Sequence, residues 1–155
     1  MIKAHESTEP LDDVEGKPPL SWEMTYPASI ETVAIITEAI DALRDNVKCS
    51  FKARTQVDVA LDEILSNVAK FAYEAGEGPV TVSASISHNP LAITITVADE
   101  GEPFNPLLAP EPDTSLPLEK RKVGGLGIML VRKMMDEVSY AREGRRNLLT
   151  FRKGL

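Results

Sequence analysis

Three groups of residues have the types and spacing to do chemistry. The first is a stripe of Glu63, Asn67, Lys70 and Glu74. At 100° per residue on a helix these fall within about 60° of one another, on the side away from Leu61 and Val68, so a carboxylate, an amide and an amine line up along one edge. A solvated face with favourable charge spacing has the same pattern. The second group, Asp99-Glu100-Gly101-Glu102-Pro103-Phe104, starts where an alternating apolar strand ends. A carboxylate here can accept a hydrogen bond from an adenine amino group, and Gly101 permits close backbone approach. A plain turn, with Asp99 bonding nearby backbone and Gly101 at positive φ, uses the same residues. The third group, Gly124-Gly125-Leu126-Gly127, opens a helix, where unpaired N–H groups and the helix dipole hold phosphate. Glycine-rich helix starts also serve packing. The spacing is not that of a P-loop, which needs Gly-Lys-Ser/Thr, and the strand-to-helix context of a Rossmann site is missing.

The elements that must position these groups follow from hydrophobic period. A strand is expected from Leu20 to Tyr26, then a helix capped by Ser29 with Ile30, Val33, Thr37, Ile40 and Leu43 on one stripe, ending near Val47. A second helix from about Ala53 to Glu74 repeats Val57, Leu61, Ile64, Leu65, Val68 and Ala72 at helical spacing. Alternation over Val80–Ile86 and Leu91–Val97, with His88, Asn89 and Pro90 between them, predicts a hairpin. From Asp99 to Val123 the periodicity gives way to repeated prolines, a loop long enough to need a purpose such as a lid. A third helix with Ile128, Val131 and Met135 follows, then a hairpin of Val138–Arg142 and Asn147–Lys153 around Gly144. Hairpin connections favour an antiparallel sheet, so the expected fold is α+β, a two-layer sandwich with a mostly antiparallel sheet and its helices on one face.

The chain of 155 residues suits one domain, residues 19–155 with a lid at about 101–123, preceded by an acidic, Pro-rich tail at 1–18 with little apolar material to offset the entropy of ordering. The net charge of -7 argues against a nucleic-acid backbone as partner. The single cysteine, Cys49, cannot form an internal disulfide; with no leader and no apolar run of about 20 residues, a cytoplasmic protein without a membrane span is expected. His5 and His88 fall in tail and turn, and no His/Cys cluster has zinc spacing. Cys49 reads as a buried small hydrophobe, Trp22 as a strand packing residue, and Met129, Met134 and Met135 as helical filler.

Taken together, Asp62-Glu63-Ile64-Leu65-Ser66-Asn67-Val68-Ala69-Lys70-Phe71-Ala72-Tyr73, Asp99-Glu100-Gly101-Glu102-Pro103-Phe104-Asn105-Pro106 and Gly124-Gly125-Leu126-Gly127-Ile128 occur in an order that resembles the GHKL (Bergerat-fold) ATPases. Within them the chain is most similar to the anti-sigma-factor serine kinases of bacterial partner switching, from about Leu20 to Lys153. The resemblance implies ATP and Mg2+ as cofactors. It makes Asn67 the metal ligand through its amide oxygen and Glu63 the general base for a serine hydroxyl, with Lys70 on phosphate. It further implies that Asp99 reads the adenine amino group, that Gly101 lets the base approach, and that Gly124, Gly125, Leu126 and Gly127 cradle phosphates with their backbone N–H groups. Phe104 is expected to anchor the lid base by packing.

Alternation puts Asn147 on the face of Leu149 and Phe151, so its amide either points inward beside the adenine or satisfies the Gly144 turn; relatives often carry Thr there. Where the subgroup has an Arg before the glycine loop, this chain has Lys120, Arg121 and Lys122, any of which either reaches the γ-phosphate from a closed lid or only solvates the lid, so phosphotransfer is less firmly implied than ATP binding. The function implied is an anti-sigma factor and serine kinase whose partners are a sigma factor and an anti-anti-sigma protein of STAS type, with a homodimer suggested by the family. A histidine kinase is disfavoured, since no helix with an acceptor histidine is attached. The alternative is a non-catalytic ATP-binding module that regulates by protein contact alone.

Overall fold

The computed structural model describes residues 2–6, 20–74, 76–108, 115 and 125–155. Six strands form one antiparallel sheet: β1 (Ile2–Glu6), β2 (Leu20–Pro27), β3 (Pro79–His88), β4 (Leu91–Asp99), β5 (Glu137–Glu143) and β6 (Arg146–Gly154), in the spatial order β1-β2-β3-β4-β6-β5. The helices α1 (Ile30–Arg44), α2 (Phe51–Asn67) and α3 (Gly125–Met134) pack over its apolar side, as the two-layer expectation required. No helix among the described residues is long and apolar enough to cross a membrane.

The sheet's inner face is written by period-2 alternation. Trp22, Ala84, Ile95 and Phe151 form one cross-strand row, and Met24, Val82, Val97 and Leu149 the next, all buried. The outer face is lined with small hydroxyls, including the paired Thr25–Thr81 and Thr96–Thr150, at 2.9 Å each. Against the inner rows α2 buries Val57, Ala60, Leu61, Ile64 and Leu65. Emptying one such position by Leu61→Ala costs about 2–5 kcal/mol through lost transfer energy and a cavity.

Several local expectations are corrected. Residues Ile2–Glu6, read as part of a loose tail, pair in register with Met24–Leu20 of β2, because the β2 edge offers unpaired N–H and C=O groups that a short strand satisfies. Helix α1 stops at Arg44 rather than near Val47, and its buried stripe is Val33, Ile36, Ile40 and Leu43; Ile30 is 55% exposed and Thr37 only half-buried. Ser29 does not cap this helix through its side chain; its hydroxyl meets Thr32, which donates to the Pro27 carbonyl. Ser50 does cap α2, accepting from the Ala53 N–H at 3.1 Å. Cys49 is half-buried rather than buried, whereas Trp22 packs in the core as expected.

Unforeseen in the sequence, Arg44 is fully buried, paired with Asp41 and Asp58 and donating to the Arg54 carbonyl, so that one cation joins the end of α1 to the start of α2. Such a pair is costly to break from one side, since removing a carboxylate leaves a buried charge.

The main departure lies in α2. The predicted helix to Glu74 becomes a π-helical turn at Val68–Ala72, immediately after Asn67, and none of its five residues is buried. Apolar spacing alone cannot distinguish an i→i+4 from an i→i+5 ladder, so the sequence hides this wider turn. Val68 packs half-buried against the core, Ala72 is half-buried, and Phe71 is exposed.

Candidate functional site

Beyond the apolar rows, the next row of the inner face turns polar: Val80 faces Asp99, Asp99 faces Asn147, and Asn147 faces Arg142. Alternation, having carried Val97, Leu149 and Tyr140 to the core side, brings a carboxylate, an amide and a guanidinium to the same side at the end of the sheet. The π turn closes around that end, its Ala72 carbonyl lying against Gly101.

Asp99 is half-buried. Its Oδ1 accepts from the Gly101 N–H at 2.9 Å and from Asn147 Nδ2 at 3.0 Å, while Oδ2 takes no hydrogen bond among the described residues. An oxygen with free lone pairs, on a carboxylate whose other oxygen is already held, suits a ligand N–H donor. Gly101 is buried, and a Cβ there would lie 2.3 Å from the Ala72 carbonyl oxygen, so the loop after β4 touches the backbone of the π turn and only glycine fits without displacement.

Asn147 is 7% exposed. Its Nδ2 donates to Asp99 and to the Glu102 carbonyl at 2.8 Å, and its Oδ1 accepts from the Phe104 N–H at 3.1 Å and the Tyr140 hydroxyl at 2.6 Å. Of the two orientations left open for Asn147 the inward one is observed, and the amide is spent on the loop and on Asp99 rather than on the Gly144 turn. Phe104, expected to anchor the loop by packing, has its side chain 65% exposed; the anchor is its backbone N–H.

Tyr73 adds a second tie. Its hydroxyl donates to the Pro79 carbonyl at 2.5 Å and accepts from the Glu100 N–H at 2.7 Å. Burial, joined by the negative charges of Asp99 and Glu100, raises its pKa above the ordinary 10.0, with the Glu100 N–H acting the other way. On the far side Arg132 of α3 donates to the Leu107 carbonyl at 2.9 Å in the short 3-10 turn Pro106–Leu108.

At the other end, Glu63 is half-buried and lies against the first turn of α3: a Cβ on Gly127 would meet Glu63 Oε2 at 2.4 Å. Asn67, one turn along α2, is half-buried, and its side chain makes no hydrogen bond among the described residues. Lys70 is exposed on the π turn and forms no ion pair among the described residues. Its wider turn rotates Lys70 and Glu74 off the straight stripe drawn through Glu63 and Asn67. Glu63 and Ala72 are about nine residues apart on one helical run, roughly 13 Å at the rise of an α-helix, so the site is elongated.

Gly125 opens α3 and Leu126 follows, partly exposed. Gly124, the cationic run Lys120-Arg121-Lys122 and the rest of the expected lid, apart from 101–108 and 115, lie outside the described residues. The three sequence groups thus come together: α2 touches α3 at Glu63 and Gly127, and the π turn touches the loop after β4 at Ala72 and Gly101. Tyr73, Tyr140 and Arg142 carried no role in the sequence reading. Alternation along β5 places Tyr140 and Arg142 inward; no local signal marks Tyr73.

The arrangement fits a nucleotide. One end carries a carboxylate oxygen that takes no bond from the described residues and suits a base amino group, and the other an unbonded amide, a carboxylate and a glycine-opened helix N-terminus, which favours anions.

Comparison with known proteins agrees. A serine-protein kinase RsbW of Halalkalibacterium halodurans is 28% identical over 130 residues, covering 81% of this chain and 78% of that one. The serine/threonine-protein kinase BtrW of Bordetella bronchiseptica is 28% identical over 128 residues, covering 83% and 88%. Among solved structures, the RsbU and RsbW domains of a Mycobacterium tuberculosis protein superpose with a TM-score of 0.62 at 14% identity, over 90% of this chain and 33% of that one, which supports the fold. The family model of the histidine kinase-like ATPase domain matches residues 26–153, and the chain belongs to that family.

Proposed function

We propose that this chain is an ATP-dependent protein serine kinase and anti-sigma factor, which phosphorylates an anti-anti-sigma protein of STAS type and holds a sigma factor when that antagonist is modified. The observation that carries the reading is the convergence of Glu63 with Gly127 at the start of α3, one helical turn from an amide that no described residue engages. The relatives named as serine-protein kinases support the same activity.

Within this reading Asp99 accepts the adenine amino group at Oδ2, and Gly101 leaves room beside the base. Asn67 offers its amide oxygen to Mg2+, a hard cation that takes oxygen ligands; the unbonded side chain fits that role. Magnesium, when bound, neutralises charge on the phosphoryl oxygens during transfer. Glu63 accepts the proton of the serine hydroxyl at its carboxylate, and Lys70 contributes positive charge beside the phosphates. Backbone N–H groups of Gly124, Gly125, Leu126 and Gly127 hold phosphate oxygens. A homodimer in the cytoplasm is the expected working form.

The test is phosphotransfer itself. The chain is incubated with Mg-ATP and, separately, each anti-anti-sigma protein of its own organism, and the products are mapped. Phosphoserine on one antagonist is the expected result. ATP binding without transfer to any of them would leave a regulatory module that acts by protein contact.

A further inference from the structure

We infer that Tyr140, acting through Asn147, is a positioning residue that sets the base specificity of the pocket by holding Asp99 in one hydrogen-bonding state. The inference rests on the nucleotide reading above and deepens it.

Among the described residues Asn147 is the only contact that carries Tyr140 toward Asp99, and which way round its amide sits is set from both ends. A side-chain amide has one acceptor end and one donor end. The Phe104 N–H can only donate, so it requires Oδ1 on its side and sends Nδ2 toward Asp99. The Tyr140 hydroxyl, at 2.6 Å, supplies the second donor that the carbonyl oxygen can take. On the donor end, Nδ2 reaches the Glu102 carbonyl at 2.8 Å and the Gly101 carbonyl at only 3.4 Å. Arg142 relieves that long contact by donating to the Gly101 carbonyl at 2.8 Å, which leaves the two amide hydrogens for Glu102 and Asp99.

The result is a chain of donors, Tyr140 to Asn147 to Asp99, in which Oδ1 is occupied and Oδ2 is the acceptor that no described residue engages. An acceptor-only oxygen welcomes an amino group and disfavours a carbonyl at the same position, because two lone pairs would then face each other. Without the Tyr140 hydroxyl the Asn147 carbonyl keeps only Phe104. The amide, still kept the same way round by the Phe104 N–H and the Glu102 carbonyl, then has one tie fewer, and its Nδ2 holds Asp99 Oδ1 less firmly. With the Gly101 N–H as its one firm tie, the carboxylate that carries the discriminating oxygen gains freedom to tilt, while the phosphate end is untouched.

The experiment measures the affinities of wild type and Tyr140→Phe for three nucleotides: ATP, purine riboside triphosphate, which lacks the 6-amino group, and ITP, which carries a carbonyl there. Wild type should prefer ATP to both. Tyr140→Phe should weaken ATP about five- to tenfold and leave purine riboside triphosphate within twofold, so the preference collapses. Asn147→Ala should lower the same ratio at least as far. If Tyr140→Phe lowers all three nucleotides equally, or changes none, Tyr140 has no part in specificity while ATP binding stands. If wild type binds none of the three, the nucleotide reading fails and the inference with it.

Discussion

The two ends of the site are built in opposite ways. At the Asp99 end the side chains are committed: Asn147, Tyr73, Tyr140 and Arg142 all bond to one another or to loop backbone, and Gly101 is pressed against the π turn. At the Glu63 end, Asn67 and Lys70 have no partner among the described residues, and Glu63 meets Gly127 by packing alone. On the proposed reading, recognition of a base needs a fixed direction, so its acceptor is oriented in advance. Holding a metal and moving a proton need spare lone pairs, which a bonded side chain lacks. These unsatisfied groups cost little because each is at least partly open to water.

Each variant below tests one half of that contrast. The largest effect should come from Glu63→Gln: transfer to the antagonist falls about 10²–10⁴-fold, the usual size of a lost general base, while ATP affinity stays within about twofold. Steady-state kinetics beside calorimetry checks it, and undiminished transfer would remove Glu63 from its role. Next is Asn67→Ala, which should weaken Mg-ATP on the order of 100-fold but magnesium-free ATP far less, as loss of a metal ligand requires. Equal losses in titrations with and without magnesium would contradict the coordination.

The two glycines offer a sharper comparison. Gly101→Ala sets a methyl 2.3 Å from a backbone carbonyl, which cannot step aside, and should cost about 1–3 kcal/mol in a denaturant titration. Gly127→Ala meets only the far end of the Glu63 side chain, which can rotate. Its stability loss should be under about 1 kcal/mol, with the penalty in transfer rate instead. Equal destabilisation by both would erase the distinction between a rigid and an adaptable end.

The smallest effect is a pH dependence at the committed end. The Tyr73 pKa is raised in the folded state, so the folded protein holds this proton where the unfolded chain has lost it. Its contribution is full below the ordinary value near 10 and fades as pH rises through the higher folded value. Melting temperature should therefore fall more steeply above pH 10 in wild type than in Tyr73→Phe; identical slopes would refute the coupling.

Much of the site was legible because its residues are marked locally. Asp99 and Gly101 end an alternating strand, Gly125 and Gly127 start a helix, and Glu63 and Asn67 share a helix face, so type and period placed each on the right element. Asn147 was placed on the inner face by the same period. Phe104 was misjudged because a large apolar side chain in a loop gives no sign that its backbone, rather than its ring, makes the contact.

Period and residue type act over a few neighbours, and over that range the sequence determines the strands β2–β6, the three helices and the layer they form. Contacts between distant positions belong to the tertiary structure. The pairing of Ile2–Glu6 with β2 depends on an edge left open elsewhere in the sheet. The π turn after Asn67 accompanies the Ala72 carbonyl's approach to Gly101, and the placing of Glu63 against Gly127 depends on how α3 packs on α2. The tie from Tyr140 through Asn147 to Asp99 needs β5 and β4 on either side of β6, a neighbour relation that no short segment contains. Local period can say which way a side chain faces, but only packing says what it meets.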